Sequence, residues 1–440
     1  MVQSQSTARP GPLEPIGVVG GGQLAWMLAT AARELNLPVL VQTPHGDDPA
    51  TRMASGVVQA PLHDLEATRR LAARCSAITF ENEWLDLAGM ASLAFEGITF
   101  LPSLSSLEPL ISKHSQRLLL ERLGLPSPAW RLLADLLKPT RQSPGSSGEA
   151  TASASTPPAA DLEAPDQPLL PPGWRFPLMA KAASGGYDGK GTRLLRGFTD
   201  LRELLTEVDP HQWIVEAFVS FELELSQLAC RDRQGRVLCY PLVQTHQHHQ
   251  VCDWVLTPAG VPHAVQAFAR NIATSLLTAI DYVGVLSIEL FYGPEGLLVN
   301  EIAPRTHNSG HVTIEANATS QFSQQARIVA GLPMGAIDLQ VPGALMVNLL
   351  GFEYSQSDYA DRRAKLGAMA GASLHWYAKR ESTPGRKLGH LTLRLEQCSP
   401  EARQAEAMER LAEVRGLWPL PWQERCEIPQ DGGTAEPVPD

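Results

Sequence analysis

The chain has 440 residues, 44% hydrophobic and 19% charged, enough for several globular cores and long for one domain. Its formal net charge of −11 argues against nucleic acid as the main partner, because phosphate backbones need net or locally dense positive charge. The six cysteines lack CxxC spacing, and no stretch reaches the ~18 apolar residues of a membrane helix, so neither a disulfide framework, a zinc site nor a membrane anchor is expected.

A polar tail, 1–14, lacks a signal peptide's apolar core, and the expected compartment is the cytoplasm. IGVVGGGQLAWMLATAARELNLPVLVQTP then reads strand, glycine turn, helix, strand. Leu24, Met27, Leu28, Ala31 and Leu35 keep the spacing of one helical face, Asn36 and Pro38 stop it, and Val39 to Val41 begin the next strand. SAITFENEW and ITFLPS continue the alternation, which predicts a Rossmann-like α/β unit with a parallel sheet over 15–108. A second unit, 109–219, is interrupted by residues 139–172. That stretch holds eight of the chain's 35 prolines and no apolar period, and it reads as a disordered insertion.

After it, FPLMAKAASGGYDGKGTRLL predicts two strands around a glycine loop, and WIVEAFV a third. A third unit, 220–395, opens with a hairpin turning at Asp232 to Gly235. It continues with a helix near Ala264 to Ile280 and a second hairpin, VLSIELFYGPEGLLVNEI. The remaining 396–440 hold one amphipathic helix (about Glu401 to Val414) and an acidic tail. The fold class expected is therefore α/β and α+β, multidomain.

Gly20, Gly22 and Ala25 fit G-x-G-x-x-[GA] between a strand and a helix, where backbone N–H groups favour an anion. NAD(P) would want an acidic residue at the end of the second strand, where Gln42 and Thr43 stand. A structural tight turn and a site for another phosphate or polar ligand both stay open. In SGGYDGKG, four glycines (Gly185, Gly186, Gly189, Gly191) let the backbone approach phosphate oxygens, with Lys181 and Lys190 supplying charge; a flexible surface hairpin is the alternative.

The second hairpin turns at Tyr292 to Gly296, which sets Glu289 nearly opposite Glu301. Facing residues of an antiparallel pair share a side, with Cβ atoms ~5 Å apart. Two carboxylates that close need a cation between them or a proton on one, and Mg²⁺ is the natural bridge, with Asn300 as an additional oxygen. Two exposed edge carboxylates are the alternative. The loop that follows offers Arg305 for bidentate anion binding, and GRKLGH with Lys379 upstream forms a second basic cluster. His246, His248 and His249 have no carboxylate or Cys at metal-site spacing and read as a polar loop or strand end.

Together GGGQL, TFENE, SGGYDGKG, NEIAPRTHNSGH and HWYAK…PGRKLGHL resemble the carboxyaminoimidazole ribonucleotide synthase family of the ATP-grasp superfamily, from about Pro15 to Leu395 except 139–172. The resemblance implies a Rossmann-like domain, an ATP-grasp lid domain, and a main and C-terminal substrate-binding domain. It implies ATP and Mg²⁺ as cofactors, aminoimidazole ribonucleotide and bicarbonate as substrates, and a homodimer. Lys113 and Lys181 would contact nucleotide; Glu216, Ala217, Phe218 and Val219 would read adenine; Glu224 would hold the ribose; Glu289 and Glu301 would ligate the metal. Gln23, Glu81, Tyr187, Lys379, Arg386 and Lys387 would bind the ribonucleotide, together with Asp188 and Arg305. Asp188 would also orient or deprotonate the amine, and His307 and Asn308 would lie near bicarbonate and carboxyphosphate. Where many family members carry a nucleotide-proximal His, this chain has Gln247. A formate-using glycinamide ribonucleotide transformylase and a catalytically inactive nucleotide-binding protein are the alternatives.

Overall fold

The computed structural model describes residues 13–137, 170–185 and 191–422. Most of the tail, the insertion and the acidic C-terminus lie outside the described residues, as do Gly186, Tyr187, Asp188 and Gly189.

Four short strands open the chain: β1 (Ile16–Val19), β2 (Val39–Thr43), β3 (Gly56–Gln59) and β4 (Ala77–Phe80). They pair in parallel in the order β3-β2-β1-β4. Parallel sheets are covered on both faces, which is why β1, β2 and β4 are continuous buried runs. One face receives the Gln23–Glu34 helix, whose Ala25, Met27, Leu28 and Ala32 pack with Phe322, Ala326 and Val329 of the Gln321–Val329 helix. On the other, Leu71, Met90 and Leu93 run into Leu286, Ile288, Val299 and Ile302 of the largest sheet. Each such side chain contributes roughly 1.5–3 kcal/mol when fully buried, so the shared core fixes the two units against each other.

The next sheet is antiparallel, in the order β5-β8-β6-β7, from β5 (Trp130–Leu132), β6 (Leu178–Ala182), β7 (Thr192–Leu195) and β8 (Trp213–Ala217). It has its own small core of Leu133, Leu178, Leu195, Leu201 and Val215. The Lys113–Leu123 helix, which the sequence groups with this unit, packs elsewhere. Its Leu119 and Leu120 join the core beneath the largest sheet, and Gln116 bonds both backbone groups of Ile302.

The largest sheet has nine strands: β9 (Leu223–Arg231), β10 (Val237–Cys239), β11 (Val243–His248), β12 (Val251–Thr257), β13 (Gly284–Gly293), β14 (Gly296–Ala303), β15 (Gly343–Leu350), β16 (Ala372–Trp376) and β17 (Lys387–Leu395). Their order is β14-β13-β9-β11-β12-β15-β17-β16, with β10 beside β9. Residues of the expected main and C-terminal parts thus share one sheet. The Pro400–Leu417 helix covers β15 and β17 and belongs to that body, with Ala407, Val414 and Trp418 in its core. Among the described residues no helix is long and apolar enough to cross a membrane.

Candidate active site

The β13–β14 hairpin pairs Gly293 with Gly296 and Leu290 with Val299, a register that would set Glu289 against Asn300. A bulge between Glu289 and Leu290 shifts it by one, so Glu289 pairs with Glu301. An extra residue in one strand is what a bulge supplies, and here it is Asn300. The apolar positions Ile288, Leu290, Val299 and Ile302 face the core, while Glu289 and Glu301 stand on the opposite side, 30% and 37% exposed, Glu301 at the wall of a cleft. That cleft is lined by Glu83, Trp84, Lys113, Ser184, Gly185 and Glu301.

Charge in the pair is asymmetric. Burial and the Glu301 charge push the Glu289 carboxyl up to about 7. Burial pushes Glu301 the same way, but the Lys113 ammonium in contact with it prevails and holds it below the usual carboxylate range. Two carboxylates, one still holding its proton in part, offer oxygens suited to a hard divalent cation, whereas Asn300, expected as an additional oxygen, turns its amide N–H to Glu289 at 3.5 Å and gives its Oδ1 to Lys181. Among the described residues no group of three or more His, Cys, Asp or Glu is arranged to hold a metal. The pair would need phosphate oxygens or water to complete a shell, as Mg²⁺ sites commonly do.

Behind the pair lies a buried ion network. Glu216 on β8 takes Lys181 Nζ at 2.8 Å and Arg117 at 2.6 Å, and Lys181 also donates to Asn300 Oδ1 at 2.8 Å. Burial opposes the Glu216 charge, but its two cations hold its carboxyl down at about 2. Its side chain is therefore engaged by two cations within the protein. Ala217 ends β8, and Phe218, exposed, and Val219 follow it. Arg117 was not found from the sequence. The signal was the i, i+3, i+4 stripe Lys113, Gln116, Arg117, three polar residues on one helical face.

Glu224 lies on β9 opposite Phe291 and Thr245, two residues from Ser226, which faces Glu289 across the ladder. Burial and the nearby Glu289 raise its carboxyl to about 7. Gln247 follows a bulge in β11, and its backbone N–H holds Glu224.

The loop after β14 folds back over the same face. Arg305 is gripped bidentately by Glu83, at 2.6 and 3.2 Å, a partner the sequence did not flag although it stands two residues from Glu81. His307 takes the Ser309 backbone N–H on Nδ1, which leaves Nε2 carrying the proton, 3.5 Å from Glu289 Oε1. Burial, with Arg305 and Lys387 nearby, keeps this imidazole neutral. Asn308 exchanges amide bonds of 3.0 and 2.7 Å with Asn348 and is buried, which braces the loop against β15.

At the first glycine turn the anion is the chain's own. Glu81 takes backbone N–H groups of Gly22 at 2.6 Å, Leu24 at 3.1 Å and Ala25 at 3.3 Å, at the N-terminus of the Gln23–Glu34 helix. A Cβ on Gly20 or Gly22 would collide with Glu81, which explains both glycines. The turn is thus braced by a carboxylate of the chain itself. Gln23 starts the helix beside it. Lys379 stands 5.6 Å over the Tyr377 ring, Arg386 is exposed, and Lys387 opens β17, its charge reaching Glu289 and His307. Gly185 and Gly191 flank the undescribed part of the glycine loop, both at positive φ.

Known proteins share this architecture. Residues 13–109 match a ribonucleotide synthetase preATP-grasp domain, 166–322 an ATP-grasp domain, and 344–404 a phosphoribosylaminoimidazole carboxylase C-terminal domain. The N5-carboxyaminoimidazole ribonucleotide synthase of Synechococcus elongatus is 45% identical over 410 residues, 93% of this chain and 97% of that one. The synthase of that name from Bacillus subtilis is 32% identical over 96% of this chain and 97% of its own. A crystal structure of N5-carboxyaminoimidazole synthase from Aspergillus clavatus in complex with ADP and 5-aminoimidazole ribonucleotide superposes with a TM-score of 0.76. It is 27% identical and covers 92% of this chain and 100% of that one. Identity at this level over nearly the full length of both chains places this protein in the N5-carboxyaminoimidazole ribonucleotide synthase family of ATP-grasp enzymes.

Proposed function

We propose that this chain is the ATP-dependent ligase that carboxylates 5-aminoimidazole ribonucleotide in purine biosynthesis, drawing the carboxyl group from bicarbonate through carboxyphosphate. The observation that carries the reading is the register shift that sets Glu289 against Glu301 beside Lys113, Lys181 and Asn300, on the face covered by Arg305 and His307. Glu289 and Glu301 would hold Mg²⁺, whose charge would offset that developing on the transferring phosphoryl group. Lys113 and Lys181 would pair the phosphates, the backbone from Glu216 to Val219 would read adenine, and Glu224 would take the ribose hydroxyls.

A bicarbonate oxygen attacks the γ-phosphorus and ADP departs. The exocyclic amine of the ribonucleotide then attacks the carboxyl carbon, phosphate leaves with that oxygen, and the amine proton passes to a base, for which Asp188 is the sequence's candidate. Arg305, oriented by Glu83, offers fixed N–H donors to the anion, and the neutral His307 adds one more; such preoriented donors commonly supply the largest part of the rate enhancement. Gln23, Glu81, Tyr187, Lys379, Arg386 and Lys387 would bind the ribonucleotide. Cytoplasmic location and a homodimer complete the reading.

Bicarbonate labelled with ¹⁸O tests the route. The phosphate released should carry one labelled oxygen, and unlabelled phosphate would rule out bicarbonate phosphorylation.

A further inference from the structure

The last described residues lie against the loop that precedes Lys387. The Pro400–Leu417 helix ends at Trp418, fully buried, with its indole N–H donated to Leu350 O at 2.8 Å. Four residues on, the chain reaches across the β11–β12 turn. His248 Nε2 lies 2.8 Å from Pro421 O, and the Trp422 ring sits 5.3 Å from His249 in an edge contact. Trp422 has φ +60°, a conformation that a bulky residue keeps only when its surroundings hold it.

On its other side Trp422 meets Gly385. A Cβ at that position would overlap Cη2 of the indole and lie 3.0 Å from Cζ2, so the ring edge rests on the glycine backbone. Gly385 is the apex of the turn leading into Arg386 and Lys387. Gly351 pins that turn from one side, accepting from Gly385 N at 2.9 Å and donating to Arg386 O at 2.8 Å. Trp422 closes the other side. It lies beyond residues 344–404, where the C-terminal domain match ends.

We propose that Pro421 and Trp422 form a strap that fixes the 383–387 loop and so sets affinity for the phosphate of the ribonucleotide substrate. This rests on the reading that Arg386 and Lys387 bind the ribonucleotide, and takes its phosphate as the anion that these two cations hold. Trp422 acts as a positioning residue: it closes the open side of a turn that is otherwise held by its Gly351 bonds and by the Arg386 N–H donated to Thr383 O at 3.0 Å, and its loss lets the backbone beneath the two cations shift. Coupling between neighbouring groups of this kind amounts to roughly tenfold in affinity.

The test is steady-state phosphate release by the full chain, with the ribonucleotide and ATP varied in turn, for wild type, Trp422→Ala, Trp422→Phe and Lys387→Ala. Trp422→Ala should raise KM for the ribonucleotide about tenfold. KM for ATP, kcat and the melting temperature should stay at wild-type values, and Trp422→Phe should restore most of the affinity. A wild-type ribonucleotide KM in Trp422→Ala, with a raised one in Lys387→Ala, overturns the strap and leaves the phosphate loop standing. Wild-type values in both overturn the phosphate reading and the strap with it. A fall in melting temperature with both KM values raised marks Trp422 as a fold residue only, and also overturns the proposal.

Discussion

Glu224 and Glu289 each carry a carboxyl raised to about 7, by burial first and then by a neighbouring carboxylate, Glu289 in one case and Glu301 in the other. Their folded values lie above the ordinary 4.5, so they stabilise the ligand-free fold at low pH, and that contribution is lost as pH rises through 7. As the proposed ligands of a cation and a ribose, they are needed ionised. Binding of Mg²⁺-nucleotide should therefore expel protons near pH 7 and tighten as pH rises; calorimetry in two buffers of different ionisation enthalpy measures this, and Glu289→Gln should reduce the release. Glu216 has the opposite sign. Held at about 2 by Lys181 and Arg117 against its burial, it stabilises the fold above pH 4.5 and loses that as pH falls towards 2. Glu216→Gln leaves two buried cations poorly paired, and denaturant unfolding should show a loss of roughly 3–5 kcal/mol.

At the scale of elements, the glycine turn after β1 makes a separable prediction. Gly22→Ala would push a methyl group into Glu81 and displace the carboxylate from the helix N-terminus. With the nucleotide on the largest sheet, as proposed, KM for the ribonucleotide should rise while KM for ATP holds; kinetics with each substrate varied would show it. The parallel unit, the 263–279 helix and the β9–β10 turn were legible because apolar periods and turn residues are local signals. The Glu289–Glu301 pairing was legible only in outline. Counting from the turn alone sets Glu289 against Asn300, and the bulge that corrects it depends on tertiary contacts of Asn300 with Lys181 and Arg117. Arg117, Glu83 and Asn348 were missed for the same reason: each is defined by a partner at least 40 residues away. The Asn308–Asn348 amide pairing is likewise one that no local pattern encodes.

Across the molecule, the site is assembled from all three sheets. β8 supplies Glu216, the β13–β14 hairpin supplies the Glu289–Glu301 pair, and the Rossmann-like unit reaches in through Glu83 to Arg305. The shared core under β13 and β14 makes that last contact a fixed one. Glu83→Ala should free Arg305 and lower kcat by about 10- to 100-fold with little change in KM for ATP, if Arg305 acts on the reacting anion. The most direct measurement is Mg²⁺-dependent phosphate release from ATP, in wild type and Glu301→Gln, with aminoimidazole ribonucleotide plus bicarbonate or glycinamide ribonucleotide plus formate. Release with the first pair alone, reduced at least about 10²-fold in Glu301→Gln, is the predicted result. Release with the second pair alone, or an unchanged rate in the variant, would contradict it.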